Sequence, residues 1–192
     1  MNFTWIHVPS VLSPEECQKI IDQEKDNVQQ ARVVANTDKR APMLTRISST
    51  SWIQPGSPVE HQMRKVMGMI SRVALDHLSV LINQYEAPQF THYGFLGHYK
   101  THTDCDIPSA HRLVSATVQL NNTSEFSGGK LRFKLKKNQI PNMRQGDLVV
   151  FPSFLPHRVT PVWHGQRYSL VLWGGYSHQD AFPSTKGAEN DG

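Results

Sequence analysis

Two histidines and two aspartates crowd the segment GHYKTHTDCD, residues 97–106. In a β-strand, side chains two residues apart point to the same face, so His102 and Asp104 would project together. An imidazole and a carboxylate placed side by side supply two neighbouring ligands of an octahedral metal site. The alternative is a group of solvated polar residues at the end of a strand, since His-x-Asp arises easily by chance in a chain with ten histidines.

A third ligand is available downstream, where His157 stands in the segment FPSFLPHRVTPV. A β-sandwich would readily bring His157 opposite the first pair. Two histidines and one carboxylate on one triangular face leave three open coordination positions, the arrangement of non-haem Fe(II) oxygenases. Zinc hydrolases also use two histidines and a carboxylate, so the ligand types alone leave the metal undecided.

Arg167 follows His157 by ten residues, within the apolar strand pattern RYSLVLW. A guanidinium buried in such a strand is costly without a partner, and its planar fork matches a carboxylate. We therefore expect Arg167 to anchor a dicarboxylate whose α-keto acid end chelates the metal and leaves one position for O2. The alternative is an arginine at the exposed start of the strand.

Two capping patterns predict helices in the first eighty residues. SPEE, residues 13–16, and SPVE, residues 57–60, each place a serine cap before proline, with glutamate three residues after the cap. After the second pattern, apolar residues recur at steps of three and four, which predicts a helix face directed towards the core. These residues are Val59, Met63, Val66, Met67, Ile70 and Val73.

From about residue 88 the pattern changes to short strands separated by turns such as SGG and RQGD. The predicted strands are QFTHYG, HYKTHTD, RLVSATVQLN, GKLRFKL, GDLVVFPS, HRVTPVW and RYSLVLWGGY, preceded by ARVVANT and LTRISSTSWI. This spacing favours a sandwich or a barrel, with the helices packed against it. We expect a mainly β protein with N-terminal helices, a single domain over residues 1–180 and a disordered tail over residues 181–192.

Composition fits an ordinary globular protein of 192 residues, with 38% hydrophobic residues and a net charge of +4. No apolar run is long enough to span a membrane, the N-terminus does not resemble a signal peptide, and two cysteines suit a reduced compartment. A cytoplasmic location is the simplest expectation. KLRFKLKK, residues 130–137, alternates basic and apolar residues, which indicates either a half-buried strand with a solvated lysine face or a basic stripe for an acidic partner.

Several segments, in this order along the chain, resemble the Fe(II)- and 2-oxoglutarate-dependent dioxygenases, in particular their prolyl 4-hydroxylase-like branch. The resemblance runs from about residue 8 to residue 176 and rests on VLSPEECQKIID, RISSTSWI, QFTHYGFLGHYKTHTD, RLVSATVQLNNTSEFSGGKLRF and GDLVVFPSFLPHRVTPVWHGQRYSLVLW. It implies a double-stranded β-helix, or jelly roll, flanked by two or more α-helices. It also implies that His102, Asp104 and His157 bind Fe(II) and that Arg167 binds the far carboxylate of 2-oxoglutarate.

The same resemblance suggests roles for five further residues. Tyr93 matches a tyrosine that hydrogen-bonds the far carboxylate of 2-oxoglutarate, and Gln119 stands where some relatives have a tyrosine with a similar role. Tyr99 would line the mouth of the pocket. Arg112 and Trp173 match positions that contact peptide substrate in some prolyl hydroxylases.

The resemblance implies hydroxylation of an unactivated C–H bond with release of succinate and CO2. Fe(II), 2-oxoglutarate and O2 are the expected cofactors, with ascorbate as an additional one. The leading substrate is a prolyl residue in a peptide or protein, and a free amino acid or another side chain is the alternative. We expect no membrane partner.

Competing classes fit the residues less well. Related nucleic-acid demethylases carry a second arginine six residues after the anchor, where this chain has Trp173, and related halogenases lack a carboxylate at the position of Asp104. A non-catalytic jelly-roll binding module would not need the complete set of ligands and anchor. A zinc hydrolase would leave Arg167 and Tyr93 unexplained.

Overall fold

A computed structural model describes residues 4–31, 45–105, 109–135 and 140–176. Most of the predicted strand ARVVANT, Asp106 and the predicted tail lie outside these residues. Within the described ranges, none of the helices has the length and apolar character that a membrane span requires.

The first helix, α1 (Pro14–Glu24), begins as the SPEE pattern predicts. The Ser13 hydroxyl accepts a hydrogen bond from the Glu16 backbone N–H, and the Ser13 N–H donates to the Glu16 carboxylate at 2.9 Å. This reciprocal pair satisfies two backbone donors that a helix N-terminus otherwise leaves without partners.

The second helix, α2 (Glu60–Val73), continues into a π-helical turn, Ala74–Leu78. The prediction that Ser57 caps α2 is wrong, because the helix begins at Glu60 without a side-chain cap. The Glu60 carboxylate instead accepts from the backbone N–H of Gly56 at 2.8 Å, and the Glu60 N–H donates to the Ser57 carbonyl in a turn. The Glu60 carboxylate thus binds the N–H of Gly56, which has φ +78°, whereas in a capping box it would bind the N–H of Ser57.

The predicted apolar stripe of α2 is confirmed. Val59, Val66 and Ile70 are almost completely inaccessible, and Met67 packs against the same cluster from its edge. The cluster also contains residues of α1 and of the sheet described next, such as Ile20 and Phe90. The helices therefore form a layer over one face of the β structure.

The described residues form short strands that make up most of the regular structure. In chain order they are β1 Ile6–Val8, β2 Gln29–Gln30, β3 Arg46–Ile47, β4 Ser49–Trp52, β5 Gln84–Tyr85, β6 Gln89–Tyr93, β7 His98–His102, β8 Arg112–Gln119, β9 Phe126–Gly128, β10 Leu131–Phe133, β11 Leu148–Pro152, β12 His157–Val159, β13 Val162–Gly165 and β14 Arg167–Gly175.

These strands pair antiparallel in two main sheets. The major sheet has the order β1-β11-β8-β14-β6-β4-β2, with β5 also pairing with β14. The minor sheet has the order β10-β12-β7-β3, and β13 pairs with β9 separately. The expected mainly β architecture with N-terminal helices is confirmed, and the pocket described below lies between the two sheets.

Two irregularities in the strands affect the site. The predicted strand HRVTPVW is divided into β12 and β13 at Pro161, whose missing backbone N–H cannot continue a ladder. In the pairing of β7 with β12, His157 is opposite His102 and Val159 is opposite Tyr99. The two pairs are two residues apart on β12 but three residues apart on β7. This β-bulge breaks the alternation of side chains, so Tyr99 and His102 lie on the same side of β7.

Candidate metal centre and adjoining pocket

Three side chains converge at one end of the minor sheet. Two come from its strands β7 and β12, and the third comes from the residues just after β7. His102 ends β7, His157 begins β12, and the strand pairing sets the two histidines directly opposite each other. Asp104 follows two residues after His102. One ligand atom from each residue lies within 4.8 Å of the other two, with His102 Nε2 at 3.4 Å from Asp104 Oδ1 and His157 Nε2 at 3.6 Å from Asp104 Oδ2.

Backbone carbonyls orient both imidazoles. His102 Nδ1 lies 2.8 Å from the Lys100 carbonyl oxygen, and His157 Nδ1 lies 2.9 Å from the Leu155 carbonyl oxygen. A carbonyl only accepts, so each Nδ1 carries the proton and each Nε2 keeps a free lone pair. Hydrogen bonding of this kind is typical of metal-binding histidines.

The Asp104 carboxylate is buried, and its Oδ2 has no hydrogen-bond partner in the described part of the chain. Burial by itself would raise the pKa of Asp104, but the imidazoles of His102 and His157 beside the carboxylate lower it well below its usual range. Burial also lowers the pKa of His157, which favours its neutral form. A buried anionic oxygen beside two neutral imidazole nitrogens suits a divalent cation, so these residues fit a metal ion.

Arg167, the first residue of β14, is 3% exposed. Its Nε donates to Gln119 Oε1 at 3.0 Å, its Nη1 donates to Ser169 Oγ at 3.3 Å, and its Cζ lies 5.5 Å from the centre of the Tyr93 ring. Among the described residues, no carboxylate lies within 4.0 Å of this guanidinium. A buried arginine without an acidic partner is costly, so a carboxylate from another molecule would stabilise it.

Gln119 and Tyr93 flank the guanidinium. The side-chain amide nitrogen of Gln119 donates to the Asn121 and Tyr168 carbonyls, which leaves Oε1 directed at Arg167. Tyr93 is paired with Arg167 across β6 and β14 and is almost fully buried. The structure therefore places both residues beside Arg167, and Gln119 contacts its guanidinium.

The glycine turn between β9 and β10 lies against the Arg167 side chain. Gly129 has φ +58°, and a β-carbon there would lie 2.9 Å from Arg167 Cδ and 3.0 Å from Val162. The sequence predicted SGG only as a chain reversal. Its second role depends on a contact 38 positions away along the chain, which no local pattern reveals.

The metal cluster and Arg167 line one pocket between the sheets, and apolar side chains form much of its wall. Leu131, Phe151 and Val159 contribute from around the metal ligands, and Val171 from β14. Apolar walls exclude water and strengthen the electrostatic contacts inside the pocket.

Tyr99 and Arg46 stack outward from the metal cluster. The Tyr99 ring lies 3.5 Å from the His102 ring, centre to centre, at an interplanar angle of 17°, and Arg46 Cζ lies 4.8 Å from the Tyr99 centre. Arg46 donates to Ser48 Oγ and to Gln89 Oε1. No motif in the sequence marks Arg46, which lines the pocket because β3 pairs with β7 and sets Arg46 opposite Tyr99.

Trp173 lines the pocket, whereas Arg112 lies behind it, with its Cζ 4.1 Å from the Trp173 ring centre. Glu86 binds Arg112 through two hydrogen bonds of 2.5 and 2.6 Å. His98 lines a surface groove that adjoins this pocket at Tyr99 and Val159.

Comparison with known proteins agrees with this geometry. A sequence model of the 2OG-Fe(II) oxygenase superfamily matches residues 88–175. The chain is 27% identical over 182 residues to a PKHD-type hydroxylase of Paraburkholderia phytofirmans, covering 88% of this chain and 77% of that protein. A shorter match, 38% identical over 93 residues, covers 45% of this chain and 41% of a PKHD-type hydroxylase of Teredinibacter turnerae.

Solved structures show the same fold. A prolyl-4-hydroxylase of Pseudomonas putida superposes with a TM-score of 0.74 at 23% identity, covering 92% of this chain and 94% of that one. A prolyl hydroxylase of Trichoplax adhaerens, in complex with a peptide fragment of the hypoxia-inducible factor oxygen degradation domain, gives a TM-score of 0.72 at 18% identity, covering 91% and 84%. The jelly-roll prediction is confirmed. The chain is thus similar to the 2OG-Fe(II) oxygenase superfamily over residues 88–175 and to PKHD-type hydroxylases over most of its length, which supports a 2-oxoglutarate-dependent dioxygenase.

Proposed function

We propose that this dioxygenase hydroxylates a prolyl residue in a peptide or protein, with Fe(II) held by His102, Asp104 and His157 and 2-oxoglutarate anchored by Arg167. One observation carries the proposal. A partnerless carboxylate oxygen between two imidazole nitrogens shares a pocket with a buried guanidinium that has no acidic partner among the described residues. One pocket thus has places for a divalent cation and for a carboxylate.

When bound, Fe(II) and 2-oxoglutarate would support the reaction of O2 in which 2-oxoglutarate becomes succinate and CO2 and an unactivated C–H bond is hydroxylated. His102, Asp104 and His157 would hold the metal ion at the pocket that they line. Gln119 and Ser169 hold the Arg167 guanidinium by hydrogen bonds, so the far carboxylate meets a fixed partner. The apolar wall limits the access of water to the reacting groups.

A peptide substrate is supported by the relative from Trichoplax, whose structure contains a peptide fragment. Trp173 lines the pocket and packs against Trp52, which is 44% exposed, with ring centres 5.9 Å apart. We propose that these two aromatic rings form the wall along which the substrate residue enters, with Arg112 and Glu86 supporting Trp173 from behind.

The test begins with an anaerobic titration of metal-free protein with Fe(II) and 2-oxoglutarate, following the visible charge-transfer band of a chelated keto acid. We expect the band in the wild type, its loss in Asp104→Ala, and a 2-oxoglutarate affinity weakened on the order of a hundredfold in Arg167→Ala, where a charge-assisted bidentate contact is removed. Arg72→Ala on α2, whose side chain is 79% exposed, is the matched control and should behave as the wild type does.

Substrate class is tested by succinate release, measured with proline-containing peptides, their alanine counterparts and free amino acids, with and without ascorbate. Release that depends on peptidyl proline supports the proposal. Succinate release with a free amino acid but with no peptide would show that the substrate is an amino acid. Tight zinc binding without the charge-transfer band would contradict the oxygenase chemistry.

A further inference from the structure

A basic groove crosses the outer surface of the minor sheet. We define it by Lys100 on β7, Arg158 on β12, Arg132 on β10, Lys130 just before β10, and Trp163 on β13. The groove has a volume of about 700 Å³. It contains the first half of the KLRFKLKK segment, whose basic stripe the proposed chemistry does not use.

The arginines of this groove repel each other. Arg132 and Arg158 are directly opposite in the pairing of β10 with β12, a position in which like charges destabilise a sheet. Across the described residues, no carboxylate lies within 4.0 Å of these arginines or of the two lysines. The repulsion between Arg132 and Arg158 therefore destabilises this part of the sheet, and an anion bound from outside would reduce it.

Arg132 provides a second, independent observation. Its Nε is buried and has no hydrogen-bond partner in the part of the chain that the structure describes. Buried donors in folded proteins almost always have partners, because an unsatisfied one costs free energy. Arg132 thus lacks a hydrogen-bond partner at Nε and faces a like charge across the strand pair, so its guanidinium is poorly compensated within the described residues.

The groove is continuous with the candidate active site. Tyr99 and Val159 line both the basic groove and the metal pocket. Tyr99 stacks on the candidate ligand His102, and Trp163, which is 59% exposed, offers an apolar surface in the same groove. A chain that occupies the groove would therefore run close to the place where a substrate residue enters.

We propose that the basic groove binds an acidic segment of the polypeptide substrate, next to the residue that is hydroxylated. This inference rests on the proposed function, because it assumes a polypeptide substrate. Guanidinium groups bind carboxylates through paired hydrogen bonds, and the two arginines present such forks side by side. A single-stranded nucleic acid fits less well, since proteins that bind it stack successive bases on several aromatic rings, and the groove offers Trp163 and the already stacked Tyr99.

The test compares two fluorescent peptides of equal length, one with proline flanked by glutamates and the other with glutamine at those positions. Binding is followed by anisotropy to the anaerobic Fe(II)- and 2-oxoglutarate-loaded enzyme, so no turnover is needed. We expect the glutamate peptide to bind at least about tenfold more tightly, with a preference that weakens as salt is added. The double variant Arg132→Gln/Arg158→Gln should lose the preference and unfold at the same or a higher temperature, since it removes a repulsion.

A matched control removes two charges elsewhere, in Arg64→Gln/Arg72→Gln on the exposed face of α2. Equal affinity for both peptides, an equal loss of preference in the α2 control, or tighter binding of an oligonucleotide of the same charge would overturn the proposal. Succinate release is measured separately on the same peptides. Discrimination between the peptides without any release would contradict the proposed function, whereas release without discrimination would contradict the groove alone.

Discussion

Gly129 and Arg167 lie so close that a β-carbon on the glycine would be 2.9 Å from Arg167 Cδ. The glycine stands in the turn between β9 and β10, and the arginine begins β14 in the other main sheet. The turn thus does more than reverse the chain. It leaves the space through which the anchoring side chain passes, so the position of the guanidinium depends on the absence of a side chain at residue 129.

Gly129→Ala should weaken 2-oxoglutarate binding by about tenfold or more, because the added methyl group displaces the Arg167 side chain and is strained at φ +58°. The affinity is measured from the anaerobic band as a function of 2-oxoglutarate concentration. Gly68→Ala is the control, since a β-carbon at Gly68 in α2 meets nothing within 4 Å. It should leave the affinity unchanged and stabilise the helix by about 1 kcal/mol. An unchanged affinity in Gly129→Ala would show that the turn does not position the anchor.

Gln119→Glu should convert the neighbour of Arg167 from a neutral acceptor into a competing carboxylate. Gln119 Oε1 already accepts from Arg167 Nε at 3.0 Å, so a charged oxygen there would neutralise the guanidinium. We expect the KM for 2-oxoglutarate to rise by more than tenfold while metal binding is retained. Gln145→Glu is the matched control, because the Gln145 side chain donates to the Leu120 carbonyl and not to a group of the pocket. Similar KM values for the two variants would contradict this role for Gln119.

Much of the architecture follows from local patterns in the sequence. Ser13 caps α1 through a pattern of four residues, and the stripe of α2 is set by a helical period. His102 and His157 were predicted to approach each other, and the structure places them opposite because neighbouring strands pair. These features can be predicted from the residues of a single helix or strand, or from the pairing of neighbouring strands.

The features that sequence reasoning missed depend on geometry between elements. The bulge that turns Tyr99 towards His102 arises from how β7 pairs with β12, and no residue type in HYKTHTD marks it. Arg46 reaches the pocket only because β3 lies beside β7. The expected cap at Ser57 is absent, because α2 begins at Glu60 and the Glu60 carboxylate accepts from the Gly56 N–H instead.

Metal binding should stabilise the protein through Asp104. Mn(II), used in place of Fe(II) to avoid oxidation, at about one hundred times its Kd would add about 2.7 kcal/mol to the free energy of unfolding. The measurement is Tm by differential scanning fluorimetry with and without Mn(II). Asp104→Ala should lose the metal-dependent rise, whereas Asp76→Ala, at a side chain that is 53% exposed, should keep it. A rise of the same size in Asp104→Ala would place the metal elsewhere.

Asp147 should make the free energy of unfolding depend on pH in the acid range. The Asp147 carboxylate accepts hydrogen bonds from the backbone N–H groups of Arg144, at 2.8 Å, and Ser10, at 2.9 Å. It also lies 2.8 Å from His7 Nε2. These contacts connect β1 and the residues just after it to the turn before β11. Burial alone would raise the pKa of Asp147, but these hydrogen bonds outweigh it and lower the pKa below its usual range. A pKa that is lower in the folded state means stability that is present above the unfolded pKa.

This contribution is lost as the pH falls through the lowered, folded-state pKa of Asp147. Asp147→Asn should therefore reduce the free energy of unfolding by about 1–3 kcal/mol at neutral pH, where the amide cannot accept both backbone hydrogen bonds and the His7 contact. The gap between wild type and variant should narrow below about pH 4, as the wild-type carboxyl takes up its proton. Urea unfolding across this range measures the gap, with Asp76→Asn as an exposed control. A gap that stays constant down to acid pH would show that the charge of Asp147 does not hold the N-terminal segment in place.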